Sequence, residues 1–349
     1  LLNVPLPVLV GLAVVLTLYR SLKGIEVPGS RIYLAAFLTL YAVQGIIVGL
    51  RFGYDVHVLE LIQPLTASIM PPLAFLAFRA LAEPPPRMPW LHALGPAAML
   101  FAIRLNLDWV DPLLLVLFSV YGIALLRLAL RPADAMALAP FQRGGSAVRA
   151  ARLIACLLLF FAVSDSSLAV YTAYFGTANV PAAVGLMNLA VIAALLIYFV
   201  AGEMLPALTP APVPGVQAPV DAAGEALLAR IAAALDDGDL FKDENLSLSK
   251  LARKTGLPAR EVSGVVNRAC SLNVSQFVNN RRIAEACRLL EFTNDNVTSI
   301  MLSSGFGTKS NFNREFRRVT GMSPGQWRAM RRPDLSSPAP RREEASRQA

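Results

Sequence analysis

Seven apolar segments fill the first two hundred residues of this chain, and they hold its fold to a helical one. They lie near residues 4–20, 32–50, 58–81, 90–107, 110–130, 153–175 and 180–204. A bilayer core about 30 Å thick takes a helix of about 20 apolar residues, which is close to the length of each segment. Composition agrees: 55% of the 349 residues are hydrophobic, only 16% are charged, and the mean hydropathy is +0.52. That is too apolar for a plain soluble protein. The fourth segment is the weakest, because it holds His92, Pro96 and Arg104. It reads either as a span or as a re-entrant or interfacial piece. The third carries Pro64, Pro71 and Pro72, so a kink is expected there. The first, Val4 to Tyr19, lacks a charged n-region and a small-residue cleavage site, and reads as an anchor rather than a cleaved signal. Position 1 is Leu, so the start is read as trimmed or as an alternative codon.

Loop charges test the orientation. With the N-terminus outside and seven crossings, the inside loops carry ten bases: Arg20, Lys23, Arg31, Arg79, Arg87, Arg127, Arg131, Arg143, Arg149 and Arg152. The outside loops carry two, Arg51 and Arg104. Bases favour the cytoplasmic side, so this bias places the C-terminus inside. Residues 205–222 are rich in Pro and Ala and read as a semi-rigid, polyproline-like spacer. Residues 333–349 lack apolar periodicity and read as a disordered tail.

Between the spacer and the tail, over residues 223–332, the pattern changes to short amphipathic helices. Leu227, Leu228, Ile231 and Leu235 begin an apolar core. Asp236, Asp237, Asp239, Asp243 and Glu244 follow, and read as a solvated loop rather than a metal site. Leu248, Leu251 and Ala252, a turn at Thr255-Gly256-Leu257, and Val262, Val265, Val266 and Ala269 form one helix-turn-helix pattern. A longer helix, about Ser275 to Phe292, leads to a second. There Val297, Ile300 and Met301 stripe one helix, and Phe312, Phe316 and Val319 stripe the next. Gly305 supplies the positive φ of the turn between them. Ser323-Pro324-Gly325-Gln326 reads as an N-cap, a first-turn Pro and an N3 Gln, opening a further helix.

Gly305-Phe306, Ser310, Phe312-Asn313-Arg314, Phe316, Gly321, Ser323-Pro324 and Trp327-Arg328 together resemble the signature of AraC/XylS-type transcription regulators. The resemblance covers roughly residues 225–331 and none of the first two hundred. It implies a cytoplasmic domain with two helix-turn-helix units that binds double-stranded promoter DNA. Four positions depart from the family's usual pattern. Met301 stands where a small residue is usual, Gly264 where a polar or basic one is common, and Ser271 and Asn273 where a Gly precedes the connecting helix.

The charge balance suits that partner. Residues 245–332 hold fifteen Lys and Arg against five Asp and Glu, and the whole chain has a formal charge of +8. In the second unit, Lys309, Ser310, Asn313 and Arg314 are expected at base edges, and Thr308, Arg317 and Arg318 at phosphates. In the first unit the outward candidates are Arg260, Ser263, Asn267 and Arg268, with Gly264 among them making no side-chain contact.

Within the apolar half, Asp165 lies near the middle of the sixth segment, where an ionisable group needs a partner or a reason. One reading is a ligand or proton site facing the bundle interior. The other is a hydrogen-bond clamp to nearby serines, Tyr171, Asn188 or Gln44. Gln63 and His92 read as structural glue. The three cysteines, 156, 270 and 287, are too scattered for a disulfide frame or a zinc site. No catalytic arrangement, metal set or cofactor motif is present in the sequence.

The expected fold is therefore all-α: a seven-helix transmembrane bundle, residues 1–204, followed by an AraC-like, homeodomain-like double helix-turn-helix domain. The expected protein is a regulator in the bacterial inner membrane, with its N-terminus outside and its DNA-binding domain in the cytoplasm. Its bundle is a sensor of an unknown signal or small ligand, or an anchor, and a homodimer is one arrangement that would couple the two. The alternative is a membrane transporter or enzyme carrying a regulatory DNA-binding domain.

Overall fold

The computed structural model describes residues 5–331 apart from 24, 26, 28, 55, 132–135 and 205–221. The spacer (all but Ala222) and the tail read from the sequence lie outside the described residues. Fourteen α-helices and no strands occur among the described residues. The chain divides into two compact units, one within residues 1–213 and one within 214–349.

The first unit is built from α1 (Leu6–Leu22), α2 (Ser30–Tyr54), α3 (Leu59–Ala82), α4 (Leu94–Leu105), α5 (Val110–Ala129), α6 (Phe141–Phe175) and α7 (Val180–Met204). In packing, α1 lies on α2, α2 on α3, α3 on α5 and α5 on α6, while α7 rests on α1 and α6. One core runs through these helices, with Val14, Leu18, Ala74, Leu125, Ala147, Ala150 and Ala151 fully buried in it. The outward faces are equally apolar: Ile32, Phe101, Leu186 and Ile197 are each at least 67% exposed. A water-facing surface would be polar, whereas lipid accepts this one.

Small residues let α1 and α2 touch. A Cβ on Gly45 would lie 3.0 Å from the Pro7 carbonyl oxygen, and one on Gly11 would lie 3.4 Å from Gly45 Cα. Gly45, Gly49 and Gly53 recur every four residues along that contact, the spacing that brings helix backbones together in a bilayer. Polar ties between helices are few and specific. Ser30 Oγ donates to the Ala77 carbonyl at 2.9 Å, and the Ser21 and Tyr198 hydroxyls meet at 2.9 Å.

Five helical stretches are long and apolar enough to cross a membrane: Ser30–Tyr54, Leu59–Ala82, Leu107–Ala129, Phe141–Phe175 and Val180–Val200. The count of seven is not confirmed. At 1.5 Å per residue the 17 residues of α1 span about 26 Å and the 12 of α4 about 18 Å, both under the core thickness. A 3₁₀ turn at Pro89–Ala93 replaces the start of the fourth segment. By contrast α6, with 35 residues, spans about 52 Å and begins three turns before its apolar stretch. Pro64, Pro71 and Pro72 all fall inside α3, which is continuous from Leu59 to Ala82.

The second unit comprises α8 (Ala222–Asp236), α9 (Leu248–Thr255), α10 (Ala259–Cys270), α11 (Val274–Phe292), α12 (Val297–Ser303), α13 (Lys309–Thr320) and α14 (Pro324–Arg331). Local sequence accounts for the boundaries. Ser247 caps α9 by accepting from the Lys250 amide, and Gly256 ends it at φ 66°. Asn273 and Gln276 form a capping box at the start of α11. Ser271 just before it takes φ 54°, the left-handed region where the usual glycine would be unstrained. Around α11 the second core gathers Ile283, Ala286, Leu290, Ile300, Met301, Phe306, Phe312 and Phe316. Met301 is buried there, so the added volume at that helix crossing is absorbed by packing.

The acidic stretch between α8 and α9 is largely exposed, as read from the sequence, but it is also tied down. A 3₁₀ segment, Asp237–Lys242, carries Gly238 and Asp239 at positive φ. Its acids pair with the unit's own bases: Asp236 with Arg281, Asp237 with Lys254, Asp239 with Lys242 and Asp243 with Lys250. Glu285 of α11 takes both Arg288 and Lys242. The Arg288 hydrogen bond, and after it Lys242, hold this carboxyl down to about 2 from its ordinary 4.5, against the opposing effect of burial. A depressed carboxylate stabilises the fold fully above its unfolded value and loses that contribution as pH falls from about 4.5 to about 2. Thermal unfolding of the Glu285→Gln variant should therefore show a smaller loss of stability across that window than the parent protein does. Equal acid sensitivity in the two proteins would refute this assignment.

Candidate nucleic-acid interface

The second helix-turn-helix unit is made by α12, the turn at Ser304-Gly305-Phe306, and α13. Gly305 adopts φ 90°, as its place in the turn demands. The turn is fastened by Ser304 Oγ donating to the Met301 carbonyl at 3.0 Å and by the Phe306 amide donating to the same carbonyl at 3.0 Å. Phe306, Phe312 and Phe316 then pack edge to face in series, with Trp327 of α14 against Phe316. Ser323 and Gln326 cap α14 reciprocally: the Gln326 amide donates to Ser323 Oγ at 3.3 Å and the Ser323 amide to Gln326 Oε1 at 2.9 Å.

This aromatic core leaves one face of α13 in solvent. Lys309, Ser310, Asn313, Arg314, Arg317 and Arg318 are all exposed, and Thr308 stands at the N-cap. Lys309, Asn313 and Arg317 follow at intervals of four and form one row. Lys309 and Asn313 also line a groove whose far wall is Ser323, Pro324 and Gly325 at the start of α14.

The other two arginines are committed within the protein. Arg314 Nε lies 3.2 Å from Glu315 Oε1, and its Nη2 donates to Asn311 Oδ1 at 2.6 Å. Arg318 Nε donates to Glu315 Oε2 at 2.8 Å and its Nη2 to Asn280 of α11 at 2.6 Å. Glu315 and Asn311 are buried, which helical periodicity alone did not indicate. The stripe expected at Phe312, Phe316 and Val319 is corrected at its last position. Val319 is 42% exposed, and the buried edge instead runs through Asn311 and Glu315. The i to i+3 spacing of Glu315 and Arg318 was the available signal for that pairing.

In the first unit α10 buries Val262, Val265 and Val266 and turns Arg260, Asn267 and Arg268 outward. Ser263 and Gly264 are half-buried. A Cβ on Gly264 would lie 3.2 Å from Arg268 Nη1, so the Arg268 guanidinium folds back across the position where the side chain is missing. Arg253, Arg260, Arg268, Lys309, Arg317 and Arg328 make no ion pair among the described residues.

The polar residues singled out in the apolar unit are not brought together by hydrogen bonds. Asp165 is exposed on α6 and makes none among the described residues. Gln44 accepts from Thr66 Oγ1 at 2.6 Å, Asn188 donates to the Val184 carbonyl of its own helix, and Tyr171 accepts from Asn179. Gln63 and His92 do tie neighbours, Gln63 accepting from Arg51 at 2.6 Å and His92 meeting the Tyr121 hydroxyl at 2.9 Å. No group of three or more His, Cys, Asp or Glu suited to a metal ion occurs among the described residues.

Two short helix pairs on one long connecting helix, each presenting a polar helix face, define a double helix-turn-helix DNA-binding domain. Residues 251–330 match the family described as "Helix-turn-helix domain", and this part of the chain is an AraC-type helix-turn-helix domain. An uncharacterized HTH-type transcriptional regulator of Staphylococcus aureus (strain MSSA476) is 31% identical over 93 residues, 27% of this chain and 12% of that protein. The melibiose operon regulatory protein of Escherichia coli (strain K12) is 31% identical over 88 residues, 25% of this chain and 29% of that protein. The aligned part thus spans well under two thirds of either relative. A solved structure of a protein of unknown function from Listeria innocua aligns with 30% of this chain and 95% of its own at 22% identity, with a TM-score of 0.27.

Proposed function

We propose that this protein is a membrane-anchored regulator of transcription that recognises a specific promoter sequence through both helix-turn-helix units. The observation that carries this reading is the exposed row Lys309, Asn313 and Arg317, backed by a rigid aromatic core and flanked by a capped helix. A helix so held presents fixed donors to base edges, and free cations beside it meet phosphates. Lys309, Ser310 and Asn313 are assigned to bases, and Thr308 and Arg317 to the backbone. Arg314 and Arg318 are assigned to DNA only after exchanging their contacts to Glu315. In the first unit Asn267 and Arg268 face bases and Arg260 a phosphate, with Ser263 at the edge of the contact. The apolar outer surface of the first unit supports its place in the bilayer as an anchor or sensor, and, with all seven segments crossing, the loop bases put the C-terminus inside. The name of the melibiose regulator suggests control of an operon, without suggesting which one here.

Footprinting of the full chain in lipid nanodiscs on fragments of its own genome tests this reading. The expected result is a discrete protected site with two adjacent major-groove segments, and Arg260→Ala should weaken protection of one of them. Uniform protection of all sequences, unaffected by that change, would overturn the proposal.

A further inference from the structure

The strand of chain between α8 and α9 reaches both helix-turn-helix units, and it lies outside the residues that match the family. It is tied to the first unit by Asp237–Lys254 and Asp243–Lys250, both on α9. In its middle it is gripped by Arg282 of the connecting helix α11. That side chain is fully buried; its Nε donates to the Phe241 carbonyl at 2.5 Å and its Nη2 to the Asp243 carbonyl at 2.8 Å. Its Cζ lies 5.7 Å from the centre of the Phe306 ring, in the turn of the second unit. The same turn meets the strand backbone to backbone: a Cβ on Gly305 would fall 2.7 Å from both the Cα and the carbonyl oxygen of Lys242. Lys242 Nζ crosses to Glu285 at 3.0 Å. Burying a guanidinium is costly unless it is bonded, and Arg282 Nη1 has no hydrogen-bond partner among the described residues, so this grip is maintained against a penalty.

The connecting helix α11 packs with α10 of the first unit and with α12, α13 and α14 of the second, so rotation about that one helix is the freedom that separates the two units. We propose that residues 241–243 are a clasp that removes this freedom, so that Arg282 and Gly305, without touching DNA, set the spacing between the two base sequences the protein reads. The proposal rests on both units reading DNA. One base pair of slip corresponds to roughly 3.4 Å and 34° between the two reading helices. A backbone held in van der Waals contact does not permit that movement, and a loosened one does.

The test selects binders from a randomised duplex library with the full chain in nanodiscs. The wild type should enrich two sequence blocks at one spacing. Gly305→Ala pushes the Lys242 backbone away, while Lys242→Gly loosens the clasp from the surface and leaves the apolar core intact. Both variants should enrich the same two blocks spread over at least two spacings, with affinity for the wild-type site lowered roughly tenfold, about the cost of one misplaced base pair. If Gly305→Ala does not fold, Lys242→Gly alone decides the matter. A single unchanged spacing in every folded variant would overturn the clasp. A wild type that enriches one block or none would instead overturn the reading of DNA by both units, and the clasp with it.

Discussion

Replacing Phe316 with alanine is expected to cost the DNA-binding unit about 3–5 kcal/mol, the range found for emptying a buried aromatic site. Phe316 is fully buried and contacts Phe312 on one side and Trp327 on the other, so the cavity would open between α13 and α14. Two short helices of 12 and 8 residues cannot collapse onto it without moving the exposed row. A small domain has about 5–15 kcal/mol of stability in all. The loss should therefore appear as a drop of at least ~12 °C in the transition of this unit, followed by calorimetry on the full chain. Amide exchange should quicken in α12 to α14 first. A shift of only a degree or two would mean that the aromatic series is not the support of the second unit.

The second large effect is expected at Asn313. It is exposed, stands midway along the row of Lys309, Asn313 and Arg317, and none of its polar atoms forms a hydrogen bond among the described residues. A bidentate amide contact to a base discriminates by about 1–3 kcal/mol, so Asn313→Ala should weaken binding to the selected site by about 5- to 150-fold. Binding to unrelated DNA should hardly change, because the side chain carries no charge. The readout is affinity for the selected site against a scrambled duplex. Equal losses on both would remove Asn313 from the base-reading set. Arg314→Ala provides the contrast. It also breaks the Arg314–Glu315 pair and leaves a buried carboxylate with Arg318 alone, so it should lower stability as well as affinity.

Much of the DNA-binding unit was legible in the sequence because its determinants are local. The capping box at Ser323 and Gln326, the positive φ at Gly305 and the valine stripe of α10 each follow from residues within one or two turns. What was not legible depends on contacts between distant parts of the chain. Asp236 and Arg281 are forty-five positions apart, and Arg282 reaches back forty-one to Phe241. No periodicity encodes such pairs, so a run of acids read as solvated loop gave no sign of the bases it meets. Val319 failed for a related reason: a stripe is buried only where another helix covers it, and beyond Phe316 none does. In the apolar unit hydropathy located the segments but not the helix ends. The polar start of α6 continues its helix, and the 3₁₀ turn before α4 shortens its neighbour.

The pairing of bases with the unit's own acids has a consequence for how this protein would respond to ionic strength. DNA sheds roughly one condensed counterion for each phosphate neutralised, and the steepness of binding against salt counts those events. Composition alone, with fifteen bases between residues 245 and 332, would suggest a very steep dependence. Among the described residues, eight of those cations already face carboxylates of the same chain or are buried, and six make no ion pair. Such a domain has a shallower salt dependence than its composition suggests. Its grip on DNA would then vary less as the osmotic state of the cell changes, and more of its preference would reside in fitted contacts.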